Sequence, residues 1–185
     1  MSLTAGMHAP NFRTFDLFGE PVDLDALRGR PVLLSFFRNA ACAMCNLRVR
    51  HLIRRYPDLN AEGLQVIAVF ESAPDALRKY VGKQDAPFPI VGDPQATLYD
   101  LYGVQSSEAK VDTTMAMAAT GAVIAEAAEN GFELVPEPGS NFTRMPADFL
   151  IGADGVILKA HYADFVWDHM PFDTVEALLS AAIAA

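Results

Sequence analysis

The sequence predicts a three-layer α/β unit, and three observations carry that reading. Residues 32–37, VLLSFF, form an apolar run of strand length opened by Pro31, after which apolar positions such as Leu47 and Ile53 recur at helical spacing. A second apolar run, Leu64 to Phe70, lacks polar alternation, which is the pattern of parallel strands covered on both faces. Two short strand patterns, 148–151 and 156–160, flank Ala153-Asp154-Gly155 and precede a final helical stretch. The order β-α-β-α-β, a helical insertion, then a β-hairpin and helix stacks helices on both faces of one sheet.

Taken in order, residues 10–30 read as an entering hairpin. Phe12, Phe15 and Phe18 offer apolar anchors, Gly19-Glu20-Pro21 marks the turn, and Leu24 and Leu27 suggest a short helix before Gly29. After the strand at 32–37 a helix is expected from about 42 to 56, ending before Pro57 because a residue preceding proline is pushed out of the helical region. Ser72 is placed to cap a helix from Pro74 to Lys83, residues 88–91 suit a short strand, and Asp93-Pro94 opens a helix through Tyr102. Within residues 105–143, a helical insertion is read from the stripe Val111, Met115, Ala118, Ala122 and Ala125, with Gly121 interrupting it. The last helix, Phe172 to Ala184, carries Val175, Leu178, Leu179 and Ile183 at helical spacing. No repeat, low-complexity tract or linker divides the chain, so residues 1–185 are read as one domain.

A chain of 185 residues buries roughly 70% of its unfolded surface and need not depend on disulfides for stability. The formal net charge of −9 argues against general nucleic-acid binding, which needs a broad cationic surface to displace phosphate counterions. Solubility accounts for the acidity. Positive charge is nevertheless gathered in one stretch, where Arg38, Arg48, Arg50, Arg54 and Arg55 are five of the fourteen Lys and Arg residues. The segment MSLTAGMHAPNF shows neither a basic n-region nor an apolar core, so no secretory signal is read and the cytoplasm is the expected compartment. No membrane span is expected, since the most apolar helical candidate, 115–128, is short and interrupted by Glu126.

The chemistry concentrates in Cys42-Ala43-Met44-Cys45, the only cysteines, placed where a strand gives way to a helix. A gap of two residues at a helix start lets the sulfurs reach bonding distance, while free backbone N–H groups and the helix dipole favour a thiolate. Arg48, three positions after Cys45, is expected to share its face and help hold a charged sulfur, whereas Arg50, Arg54 and Arg55 suit either that role or a solvated helix face. Two buried, inert cysteines are the bland alternative. Haem attachment is excluded because Asn46 follows Cys45, and zinc would need a second ligand pair that the scattered His8, His51, His161 and His169 do not supply. Neither a cofactor nor a metal is therefore expected. A C-x-x-C pair in a reducing compartment is more plausibly cycling than structural.

Four segments, FFRNAACAMCNLRVRHL, GLQVIAVF, PFPIVGDPQATLYDLYGV and RMPADFLIGADGVI, together resemble the peroxiredoxin-like branch of the thioredoxin-fold AhpC/TSA family over most of the chain. The resemblance implies a thioredoxin-like fold and a thiol-dependent oxidoreductase that reduces peroxides or protein disulfides, recharged by a thioredoxin- or glutaredoxin-type thiol donor. It also implies that Pro146 faces the C-x-x-C through a cis Met145-Pro146 bond; Arg144, by its charge alone, is expected to add positive potential there. The chain departs from ordinary thioredoxins in having Ala43-Met44 between the cysteines and Ala41 before them. It also departs from the peroxiredoxin pattern P-x-x-x-[TS]-x-x-C: matching Cys45 to the reacting cysteine puts Cys42 and Arg38 at the other two places, and matching Cys42 puts Asn39 and Ser35 there. With a disulfide substrate, Cys42 is expected to attack and Cys45 to resolve; the peroxidase pattern reverses the two. Two other functions stay open. Copper-delivering proteins on this fold pair two cysteines, usually three residues apart, with a distant His, for which His161 or His169 could serve. A redox-inert module would use the apolar insertion at 111–128 as a homodimer or partner surface.

Overall fold

A computed structural model describes residues 2–183. Two short strands, β1 (Arg13–Phe15) and β2 (Pro21–Asp23), make the entering hairpin, followed by a 3-10 turn at Asp25–Leu27. Only Phe12 of its three phenylalanines is buried; Phe15 and Phe18 are exposed, so they do not anchor the hairpin as expected. The main sheet comprises β3 (Val32–Phe36), β4 (Gln65–Phe70), β5 (Ile90–Gly92), β6 (Ala147–Ile151) and β7 (Ile157–Tyr162) in the order β5-β4-β3-β6-β7. β3, β4 and β5 are parallel, β6 runs antiparallel to β3, and β7 runs antiparallel to β6.

Every residue of β3 is buried, because both faces of this central strand are covered. Leu33, Val66, Phe70 and Leu150 face helices α1 (Ala43–Ala61), α2 (Pro74–Lys79) and α6 (Phe172–Ile183), through Val49, Leu52, Leu77, Val175 and Leu179. Leu34, Phe36, Ile67 and Phe149 face the other way, against the N-terminal segment and α3 (Thr97–Leu101) with the adjoining Tyr102. β3 therefore delivers the chain to Cys42 from the middle of the protein.

Several elements differ from their expected bounds. α1 continues past residue 56 with Pro57 inside it, since Leu52 and Leu59 are both buried in the same core and that burial offsets the missing N–H. α2 stops at Lys79, and a 3-10 turn at Val81–Gln84 takes over after Tyr80 leaves helical geometry. Ser72 does not cap α2; the cap residue is Ala73. α3 begins only at Thr97, where the Asp93 carboxylate accepts from the N–H groups of Thr97 and Leu98. The helix read through 111–125 is two, α4 (Glu108–Ala116) and α5 (Ala118–Glu129), separated at Met117 in extended conformation. Gly121 is helical, and the buried positions are Val111, Thr114, Thr120 and Ala127; Met115, Ala118, Ala122 and Ala125 are exposed. Thr120 is drawn inward by donating its hydroxyl to the Thr114 carbonyl, a bond that apolar periodicity does not register. The expected end of the last helix at Ala184 lies outside the described residues. Among those residues no helix is long and apolar enough to cross a membrane.

The Met145-Pro146 bond is trans, as are all described peptide bonds, which corrects the expected cis geometry. Trans is the default for X-Pro bonds, and the flanking chain is held in place by Met145 N–H to Gln105 and by the Pro146 carbonyl to Ala163.

Candidate active site

Beyond β3, residues Phe37–Ala41 form a short loop that leads into Cys42, the N-terminal cap residue of α1. The loop is tightly fixed. Phe37 donates its N–H to Val69 and stacks on Phe70 at 4.7 Å, and the Arg38 carbonyl accepts from the Glu71 N–H. The Ala40 N–H donates to the Ser72 hydroxyl, so the serine expected to cap α2 instead braces the cysteine loop. Asn46 ties both ends together, donating its side-chain amide to the carbonyls of Ala40 and Cys42, and Gln84 in turn donates to Asn46.

Both cysteines are free thiols and both are buried, Cys42 at 8% exposed and Cys45 at 1%, and of the two only Cys42 lines the adjoining cavity. Hydrogen bonding from the Cys45 thiol is the largest influence lowering Cys42; against the opposing effect of burial, the Arg38 charge and the N–H groups of Cys45 and Met44 bring it to about 6. Burial pushes the Cys45 thiol well up, and the Cys42 sulfur adds to that rise. The pair thus divides into a ready thiolate and a protonated neighbour.

Arg38 is 3% exposed and held by backbone oxygens: Nε donates to the Arg144 carbonyl at 2.9 Å, and Nη2 donates to Phe142. Its Nη1 lies 3.9 Å from the Cys42 sulfur, and the guanidinium sits over the Phe142 ring at 5.0 Å. Cys42 opens into a cavity of about 390 Å³ whose other walls include Met44, Met115, Leu134, Val135 and Phe142. Four of these, Met115, Leu134, Val135 and Phe142, are among the few exposed large apolar side chains of the protein. The loop that carries three of them is pinned by Glu137, whose carboxylate accepts from the Ser72 hydroxyl at 2.7 Å and from the Ala41 N–H at 3.2 Å.

The other residues expected at the sulfurs are elsewhere. Arg48 donates to the Met170 carbonyl at 2.6 Å and lies over the Phe172 ring at 3.9 Å, because its side of α1 packs on α6. Its electrostatic partner is Asp148. Arg144 forms a buried ion pair with Glu71, Nε to Oε2 at 2.5 Å, donates to Val104 and stacks on Tyr99 at 4.7 Å. Neither guanidinium is among the influences on either thiol, and what Arg144 contributes to the site is its carbonyl, which holds Arg38. Pro146 is buried and lines a different cavity, of about 270 Å³, with Met145, Lys110 and Tyr162.

His161 pairs with Asp168 and His169 with the fully buried Asp148. Burial alone would raise Asp148, but His169 and then Arg48 hold its carboxyl well below the usual range. Among the described residues no group of three or more His, Cys, Asp or Glu side chains is placed to hold a metal ion. Glu137 and Glu71 are the residues around the site that sequence reasoning missed, and Arg38 was read only as one of the five arginines of the cationic stretch. Arg38 had a signal, four residues before Cys42 at the end of a buried strand, whereas Glu137 sits in a loop with no periodicity to read.

The family model described as AhpC/TSA matches residues 5–160. The thiol-disulfide oxidoreductase ResA of Halalkalibacterium halodurans is 32% identical over 102 residues, covering 55% of this chain and 57% of the relative. The putative peroxiredoxin bcp of Haemophilus influenzae is 28% identical over 102 residues, covering 55% of this chain and 66% of that protein. This chain thus spans little more than half the length of the ResA relative. Among solved structures, a putative thiol:disulfide interchange protein DsbE from Chlorobium tepidum superposes with TM-score 0.65 at 24% identity, over 98% of this chain and 99% of its own. Peroxidoxin BcpB from Mycobacterium tuberculosis gives 0.67 at 17%, over 98% and 97%. Those two likenesses establish a shared thioredoxin-type fold, and with the match over residues 5–160 the chain belongs to the AhpC/TSA family.

Proposed function

We propose that this protein is a thiol-dependent oxidoreductase that cycles Cys42 and Cys45 between dithiol and disulfide, with a disulfide as its substrate. The observation that carries the proposal is the division of labour in the pair: Cys42, reachable and brought to about 6, is beside a Cys45 that burial keeps protonated. The Cys42 thiolate attacks one sulfur of the substrate disulfide, forming a mixed disulfide and expelling the other half as a thiolate. Cys45 then gives up its proton to that thiolate, and its sulfur attacks Cys42, closing the Cys42-Cys45 bond and releasing the second half. The protein loses two electrons and the substrate gains two. A thioredoxin- or glutaredoxin-type thiol donor would reverse the oxidation, and a reducing compartment such as the cytoplasm would suit it.

A peroxide is the second reading, favoured by Arg38 beside the Cys42 sulfur at 3.9 Å, where positive charge would stabilise the departing oxygen. In that case too Cys42 attacks, since Cys45 is 1% exposed with its thiol pushed up. Titrating free thiols separates the readings. The reduced protein is expected to lose both thiols to a small disulfide, and faster than to an equivalent of hydrogen peroxide. Faster loss to peroxide would favour the peroxidase, and thiols untouched by either oxidant would mean an inert module. Stoichiometric copper retained by the pair would point instead to metal delivery.

A further inference from the structure

A second cavity, of about 420 Å³, adjoins the first and shares Ala41 and Val135 with it. It has the opposite character. Arg50, Lys79 and Lys83 line it against a single carboxylate, Glu133, an excess of two positive charges on a chain whose net charge is −9. No ion pair engages these three cations among the described residues, although Lys79 lies over the Tyr80 ring. The Nε of Arg50 is buried without a partner, and so is Oε1 of Gln84, whose amide group is already committed to Asn46. A buried donor and a buried acceptor left open in a cationic hollow match a ligand that brings both carboxylates and amide N–H groups.

The position of Arg50 links this cavity to the thiolate. Cys42, Asn46 and Arg50 are spaced i, i+4 and i+8 along α1, so they form one stripe, with Arg50 about 12 Å from Cys42 along the axis. An extended chain of three residues spans about 10 Å.

We propose that the cavity holding Arg50, Lys79 and Lys83 binds the carboxylate-bearing arm of a small peptide-like thiol or disulfide, roughly a tripeptide long, and so presents its sulfur to Cys42. The choice of a sulfur ligand rests on the redox reading above. The cations hold the carboxylates, Gln84 Oε1 accepts from a ligand amide, and the apolar cavity receives the reacting end. With a disulfide of this class the atoms follow the exchange already given. The Cys42 thiolate displaces one half of the ligand as a thiolate, Cys45 supplies that half with a proton, and the half held by the cations leaves when the Cys42-Cys45 bond forms.

The test uses S-methylglutathione, a tripeptide thioether that does no thiol chemistry, titrated calorimetrically into the reduced full chain. Binding is expected, weakened by about tenfold or more in Arg50→Gln/Lys83→Gln and likewise when the dimethyl ester of the ligand replaces the free acid. The bound thioether is also expected to slow alkylation of Cys42 in the wild type and not in the variant. Absence of binding, binding indifferent to both the substitutions and esterification, or binding without protection of Cys42 would overturn the inference. A failure of the Cys42-Cys45 cycle is read separately, in the oxidant titration, because the thioether measures recognition alone.

Discussion

Cys42→Ser is expected to lower disulfide reduction by on the order of 10³-fold or more, since no other described sulfur has both exposure and a lowered pKa. Cys45→Ser is expected to behave differently: the first exchange proceeds and the mixed disulfide at Cys42 accumulates, because the resolving sulfur is gone. The same thiolate gives a pH signature. Below about 6 the Cys42 thiol is protonated and alkylation is slow; the rate rises with pH through that value and then levels off. Cys45→Ala removes the largest influence holding the value down, and Arg38→Met removes the nearest positive charge, so each moves the midpoint upward. Both variants are expected to be slow near neutral pH and to recover the wild-type rate in alkaline buffer. An unchanged midpoint in both would contradict the assignment.

Glu71→Gln is expected to destabilise the fold by about 3–5 kcal/mol, the cost of leaving one member of a buried ion pair without its partner. The side chains of Arg144 and Glu71 are 8% and 12% exposed, and their shortest contact is 2.5 Å. Urea denaturation measures the loss, and Glu71→Gln/Arg144→Met, which removes both charges, is expected to recover a large part of it. The same substitution reaches the active site, because the Arg144 carbonyl holds Nε of Arg38. A loss below about 1 kcal/mol would place this pair with surface ion pairs.

The scaffold was legible wherever a periodic apolar pattern had one physical cause. Continuous burial marked β3 and β4, and the change to helical spacing after Cys42 located the strand-to-helix junction. Reading failed where burial is decided by other chemistry. Thr114 and Thr120 are buried because their hydroxyls bond to backbone carbonyls, so the stripe drawn through Met115 and Ala118 chose the wrong face. Arg48 was credited by its spacing from Cys45 and Arg144 by its charge alone, yet Arg48 is taken by α6 and Arg144 by Glu71. Arg38 acts because two backbone oxygens, from Phe142 and Arg144, aim it, and no residue type at positions 142 or 144 announces a carbonyl role. The brace from Ser72 to Glu137 joins residues 65 apart in the chain, beyond any local motif.

Cys42 and Cys45 are expected to form a reversible intramolecular disulfide, which intact mass spectrometry after oxidation reads out. The reduced chain is treated with one equivalent of a small disulfide, quenched with an alkylating agent, weighed and digested. A monomer lighter by the two thiol hydrogens is expected, carrying no alkyl group, with a crosslinked peptide joining Cys42 to Cys45 that a dithiol reductant reverses. Recovery of both cysteines as alkylated thiols, or of chains joined to one another through Cys42, would contradict it.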